Sequence, residues 1–259
     1  MVTAPNSSPI LDTDEAEWKS RQRLAGAYRI LDHLGWTETI YGHITLRVPG
    51  PNKHFLINPY GLRYDEIQAS NLIKIDLKGN IVGRSNHPVN KAGFIIHSAI
   101  HSAREDAHCV LHTHTVAGMA VAAQRYGLLP VSMPATGFYN RIAYHDYEGP
   151  SLNPEERQRL VADLGQKKVM ILRTHGLLTC SETLEEAFIL MFRLQRACEI
   201  QIAAQAGSTP LITPSTKIRD RSASLTDEFL TAHDGQPAGK LEFDSYLRLM
   251  DARDQSYRD

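Results

Sequence analysis

An α/β domain is what this sequence predicts, and three observations predict it. Short apolar runs with strand character ("IYGHITLRV", "HFLINP", "AHCVLHTH", "KVMILRTHG") alternate with longer stretches that carry helix caps and periodic apolar residues. The composition, 42% hydrophobic and 22% charged, is that of an ordinary folded protein. A chain of 259 residues can also bury a substantial core.

Residues 1–13 are Pro- and Ser-rich and predict a loose arm. Asp14 can cap a first helix, with Glu17 reaching back in a capping box and Gly35 near its end. The two short strand-like runs come next. "LIKIDLKGNIV" then reads as a hairpin turning at Lys78-Gly79-Asn80. "NKAGFIIHSAIHSAR" has helical spacing, "AHCVLHTH" is a strand, and "VAGMAVAAQRY" is a helix of small residues. In "NPEERQRLVADLG", Asn153 is the expected N-cap, Pro154 the first helical residue and Gly165 the residue after the end. "KVMILRTHG" is an apolar strand closing on His175. Thr183 and Glu186 box the start of a long helix to about Ala206, with Ala187, Leu190, Met191, Leu194, Ala197 and Cys198 on one face. After Gly207, "GSTPLITPSTKIRDRSASLTDE" predicts irregular chain, followed by a short helix around "LEFDSYLRLMDAR". The expected organisation is an arm over 1–13, a domain over 14–206 and a peripheral C-terminal arm over 207–259.

A formal net charge of -1 leaves no general field to recruit nucleic acid or anionic membrane. No stretch approaches the ~20 apolar residues of a membrane span, and no signal-peptide pattern opens the sequence. Three cysteines without C-x-x-C spacing predict reduced thiols and a cytoplasmic protein.

The chemistry concentrates in histidines. A strand alternates its side chains with period two, so His112 and His114 point to one side. His175 repeats the design at the end of another apolar strand. Three imidazoles from two strand ends would hold a divalent ion with one position open, the pattern of a catalytic zinc site. Separate polar strand ends would read the same way. His97 and His101, at i and i+4 on the predicted helix, predict one ring in the core and one toward solvent. His43 lies beside Gly42 in a strand, as a pocket residue or a satisfied strand-edge histidine. "GFYNRIAYHDYEG" crowds aromatic and polar groups, with Tyr139 and His145 as acid/base candidates within what also suits an interface.

"GWTETIYGHITLRVPG", "FLINPYGLRYDEIQASNLIKIDLKGNIV", "NKAGFIIHSAIHSAREDAHCVLHTHTVAG" and "VMILRTHGLLTCSETLEEAFILMFRLQRACE" resemble the class II aldolase/adducin family, in the family's order, from about Glu15 to Ala206. The resemblance implies a three-layer α/β/α fold around a central, mainly antiparallel sheet. It also implies a homotetramer with sites between subunits. His112 and His114 match the family's H-x-H metal ligands, and His175 matches the histidine of its [RN]-[TN]-H-G motif. Cytoskeletal adducins lack the full set, which is intact here. Other motifs depart. Where fuculose-phosphate-type aldolases carry S-S-E, with the glutamate as acid/base, this chain has Lys91-Ala92-Gly93. Their S-G-N becomes Gly42 followed by His43, and their T-x-[ST]-G becomes Asn58-Pro59-Tyr60-Gly61.

The expected function is a metal-dependent carbon–carbon lyase, aldolase-like or decarboxylase-like, acting on a small carbonyl or hydroxy-acid substrate. One divalent ion per chain is expected, zinc before manganese or iron, on His112, His114 and His175. His43, Tyr139 and His145 are the catalytic candidates. The alternative is a non-catalytic, adducin-like oligomerisation or binding module that retains a metal site.

Overall fold

A computed structural model describes residues 14–149, 155–230 and 235–259. Seven strands form one sheet: β1 (His43–Arg47), β2 (Phe55–Ile57), β3 (Ile73–Ile75), β4 (Cys109–Thr113), β5 (Ile142–His145), β6 (Val169–Leu172) and β7 (Gly176–Ser181). Their spatial order is β3-β2-β1-β4-β7-β6-β5. Every neighbouring pair is antiparallel except β5 and β6. The mainly antiparallel sheet is the one expected.

Among the described residues eight α-helices cover it: α1 (Glu15–His33), α2 (Lys91–Ala103), α3 (Val116–Ala122), α4 (Met133–Gly137), α5 (Glu156–Leu164), α6 (Leu184–Gln205), α7 (Thr216–Leu230) and α8 (Lys240–Arg253). Strand periodicity divides the core into two layers. Ile44, Cys109, Leu111, Ile171 and Leu177 face a large cluster with α1, α3, α6 and α8. Val110, Met170, Leu172, Leu178 and Cys180 face α2 and α5, and Phe55, Ile57, Ile73 and Ile75 meet Phe94 of α2. The three-layer arrangement follows from that alternation.

Local chemistry explains most boundaries. Asp14 caps α1 by accepting from the Glu17 amide at 2.7 Å. Glu17 does not close the expected capping box, because its carboxylate is committed to the buried Arg21 and to Lys74. Thr183 accepts from the Glu186 amide and caps α6. The turn at Lys78-Gly79-Asn80 forms around the Asp76 carboxylate, with Gly79 at φ +78°. Its return leg is a single bridge, Ile75 to Ile81, rather than a strand. The caps assigned to Asn153 and Pro154, and the arm over 1–13, lie outside the described residues.

Beyond Gly207 the structure corrects the expectation twice. Thr216–Leu230 is a helix, not irregular chain. The last segment is core: Phe243 and Tyr257 are at most 1% exposed, and Leu247 and Met250 join them against α1 and α6. Ala69 and Ser70 donate backbone hydrogen bonds to Tyr257 and Asp259. Among the described residues, no helix is long and apolar enough to cross a membrane.

Candidate metal centre

Three histidines meet at the ends of two neighbouring strands in the middle of the sheet. His112 is in β4, His114 follows its last residue, and His175 immediately precedes β7, the strand paired with β4. The turn into β7 places Thr174 at φ +51°, a left-handed conformation uncommon for a residue with a side chain. It is held by the Thr174 amide donating to Ala122 O and the His175 amide donating to Leu172 O. Gly176 is a requirement of close approach. A Cβ there would lie 2.4 Å from the Thr113 carbonyl oxygen and 3.1–3.2 Å from the His112 and His114 rings.

The Nε2 atoms converge. His112 Nε2 lies 2.7 Å from His114 Nε2, which lies 3.1 Å from His175 Nε2. The partners on the far side of two rings set the tautomers. His112 Nδ1 is 2.8 Å from Leu177 O, and a carbonyl only accepts, so that nitrogen carries the hydrogen. His114 Nδ1 is 2.6 Å from the Glu38 carboxylate and is likewise the donor. With both rings neutral, as ligands are, the two Nε2 atoms present lone pairs to each other across 2.7 Å. Such an arrangement is repulsive unless a cation lies between them. The ligand atoms of these three residues lie within 4.8 Å of one another, which suits a metal ion. Burial, with the neighbouring rings adding to it, holds the His112 imidazole well below its ordinary pKa and His175 at about 4. Both stay neutral, as metal ligands must be. His112 is fully enclosed, while His114 and His175 are half-buried and open the cluster to one side.

His43 pairs in register with His112, so both side chains lie on the sheet face that α2 covers, with ring centroids 5.9 Å apart. Its Nε2 donates to Gly93 O at 2.6 Å, and its ring packs against His97 at a 34° tilt with centroids 4.0 Å apart. A Cβ at position 93 would lie 2.7 Å from His43 Cε1 and 3.1 Å from Nδ1. The two departures seen in the sequence, histidine at 43 and glycine at 93, are therefore one feature. The imidazole fills the space that a side chain at 93 would need.

The expectation that His97 and His101 divide between core and solvent is corrected, since both are buried. Their hydrogen bonds form a polarised chain. His101 Nδ1 donates to Ala107 O at 2.7 Å, so its Nε2 accepts from the Thr45 hydroxyl at 2.6 Å. That hydroxyl in turn accepts from His97 Nδ1 at 2.7 Å. Neither ring contributes to the trio.

Of the other acid/base candidates, His145 is near enough to His175 for its charge to add to burial in lowering that ring's pKa, while Tyr139 is engaged elsewhere. Tyr139 is covered by the Arg219 guanidinium, 4.6 Å from its ring centroid, in the contact between α4 and α7. His145 is buried beside α5, its Nδ1 2.7 Å from Asp163 and its Nε2 3.6 Å from Glu156. Glu38 carries no signal in the sequence, whereas the exposed Tyr147, whose ring centroid is 6.3 Å from that of His175, belongs to the aromatic run read there as a pocket rim or interface. A cavity of about 730 Å³ lies elsewhere, lined by Arg141, Lys168, Glu186 and Asp227 among others. Of its cations, Arg141 is paired with Asp227 and Lys168 with Glu186, while Lys167 Nζ donates to Ile142 O.

Comparison with known proteins gives the arrangement its context. The profile of the Class II Aldolase and Adducin N-terminal domain matches residues 22–202. Rat alpha-adducin is 43% identical over 264 residues, covering 97% of this chain but 36% of the adducin. An aldolase II superfamily protein from Pseudomonas syringae superposes with a TM-score of 0.90 at 46% identity, over 96% of this chain and 98% of that one. An L-fuculose 1-phosphate aldolase from Glaciozyma antarctica superposes with a TM-score of 0.81 at 29% identity, over 98% and 97% of the two chains.

Proposed function

This chain belongs to the class II aldolase and adducin family, and on that premise we propose that it is a divalent-metal-dependent carbon–carbon lyase acting on a small carbonyl or hydroxy-acid substrate. The observation that carries the reading is the meeting of three Nε2 atoms, with the Nδ1 atoms of His112 and His114 turned away to Leu177 O and Glu38. Three neutral imidazoles with one open side fit zinc, with manganese and iron as alternatives. His112, His114 and His175 would hold the ion. When bound, such an ion supplies Lewis-acid polarisation of a substrate carbonyl.

The chain's own residues limit the chemistry. Leu177 O and Glu38 fix two ligand tautomers, and Gly176 admits the rings to one point. Position 93 offers no carboxylate, and the polar edge of His43 is turned to the first turn of α2. Tyr139 is engaged with Arg219, and His145 sits with Asp163. Loss of a positioned acid or base costs retro-aldol cleavage about 10²–10⁴-fold. Decarboxylation demands less, because departing carbon dioxide leaves an electron pair on carbon without a proton first being removed. A non-phosphorylated hydroxy- or keto-acid is therefore the substrate class, and the working form is a cytoplasmic homotetramer. The buried, unpaired Cys109, Cys180 and Cys198 accord with a reducing compartment.

The test is turnover by zinc-loaded protein and by His175→Ala, on a panel of keto and hydroxy acids that carry a carbonyl at C3, where the departing carbon dioxide leaves an enolate, beside L-fuculose 1-phosphate. Acid turnover that disappears in the variant, with feeble cleavage of the sugar phosphate, is expected. Rapid cleavage of fuculose 1-phosphate would overturn the substrate assignment. Bound zinc with no turnover of any kind would favour a binding module, a reading that the His43–Gly93 wedge also supports.

A further inference from the structure

His114 is the central member of the trio, since its Nε2 is the atom close to both of the others. Its far nitrogen is also held differently. His112 Nδ1 donates to a neutral backbone carbonyl, whereas His114 Nδ1 donates to the Glu38 carboxylate at 2.6 Å. Glu38 lies 76 positions away in sequence, in the turn between α1 and β1, where the Tyr41 amide donates to Glu38 O at 2.8 Å. A carboxylate behind a ligating imidazole fixes the tautomer, fixes the ring plane and makes the metal-facing nitrogen a stronger donor.

We propose that Glu38 is a positioning residue for His114, holding it as the Nδ1–H tautomer with its Nε2 lone pair directed into the trio; the consequence for metal affinity rests on the function proposed above. The contrasting account is an ordinary half-exposed ion pair, worth 0 to about 1 kcal/mol to folding and nothing to the cluster. The side-chain exposures, 18% for His114 and 46% for Glu38, are compatible with that account, so geometry at the ring must separate the two.

Two readouts on full-length protein do so. Glu38→Ala should weaken zinc binding by about 10–100-fold, measured by competition with a chromophoric chelator. Glu38→Gln, whose amide oxygen accepts the same hydrogen bond without charge, should recover part of that loss. The melting temperature of the metal-free protein should change little. The second readout needs no metal: ¹⁵N-histidine spectra of metal-free protein at pH 8.5, with the His114 signals assigned from His114→Ala. Wild type should show His114 as Nδ1–H, and Glu38→Ala should move it toward Nε2–H. An unaltered tautomer together with zinc affinity within twofold of wild type would overturn the proposal. If wild-type protein binds no zinc but the tautomer shifts, Glu38 still positions His114 and the metal-dependent function fails instead.

Discussion

Substituting Gly93 by alanine should change the sign of its effect according to what occupies position 43. Gly93 lies in the first turn of α2, and its φ is not in the left-handed region. Replacing a helical glycine with alanine ordinarily gains roughly 0.5–1 kcal/mol from the reduced freedom of the unfolded chain. Here the new methyl would lie 2.7 Å from His43 Cε1 and 3.2 Å from Asn90 Nδ2. Overpacking of this kind costs about 1–3 kcal/mol. The imidazole cannot withdraw freely, since it is hydrogen-bonded to Gly93 O and packed against His97. Gly93→Ala should therefore destabilise the wild type by roughly 0–2.5 kcal/mol, the difference of those two ranges. In a His43→Ala background the obstacle is gone, and the same change should stabilise by about 0.5–1 kcal/mol. Urea unfolding of the four proteins in the cycle, followed by the fluorescence of Trp18 and Trp36, measures the coupling. Equal effects of Gly93→Ala in both backgrounds would refute the wedge.

Other expectations follow from the same packing. Burial holds His101 at about 3 against an ordinary 6.5, so the unfolded chain binds this proton first. Its contribution to stability is present above pH 6.5 and is lost progressively as pH falls toward 3, by up to about 1.4 kcal/mol per pH unit. His101→Gln should flatten that acid limb, and an unchanged slope in urea titrations across this range would contradict it. Tyr28→Phe removes the hydroxyl that receives the buried Ile44 amide at 2.7 Å, and should cost about 1–3 kcal/mol in unfolding free energy by denaturant titration. Deleting residues 240–259 strips Phe243 and Tyr257 from the main core, so the truncated chain should be insoluble or lack a cooperative melt. Light scattering at micromolar concentration should give four times the 29.0 kDa chain mass, and a monomer would remove the shared assembly.

The fold was legible wherever local pattern and tertiary demand agreed. The Asp14 and Thr183 caps, the apolar stripe of α6 and the period-two strands all express local rules that burial reinforces. α7 is hard to read because it buries only Ala223 completely, and its apolar Ile218, Leu225 and Phe229 are exposed among Ser, Thr and charge. The role of α8 was missed for another reason: its partners lie on α1 and α6, far away in sequence. At the site, His112, His114 and His175 could be read as a group because each ends an apolar strand. Glu38 could not, since a lone carboxylate in a turn has no spacing to distinguish it. His43 and Gly93 were each visible as departures, but their interlock exists only once β1 and α2 are packed together.

The metal content of the purified chain tests the three-histidine site most directly. Elemental analysis of protein prepared without added metal, compared with His112→Ala and His175→Ala, measures it. Close to one divalent ion per chain in the wild type and nearly none in the folded variants is the predicted result. A metal-free wild type that also fails to take up zinc, or full metal content in both variants, would contradict the claim that these three histidines form a metal site.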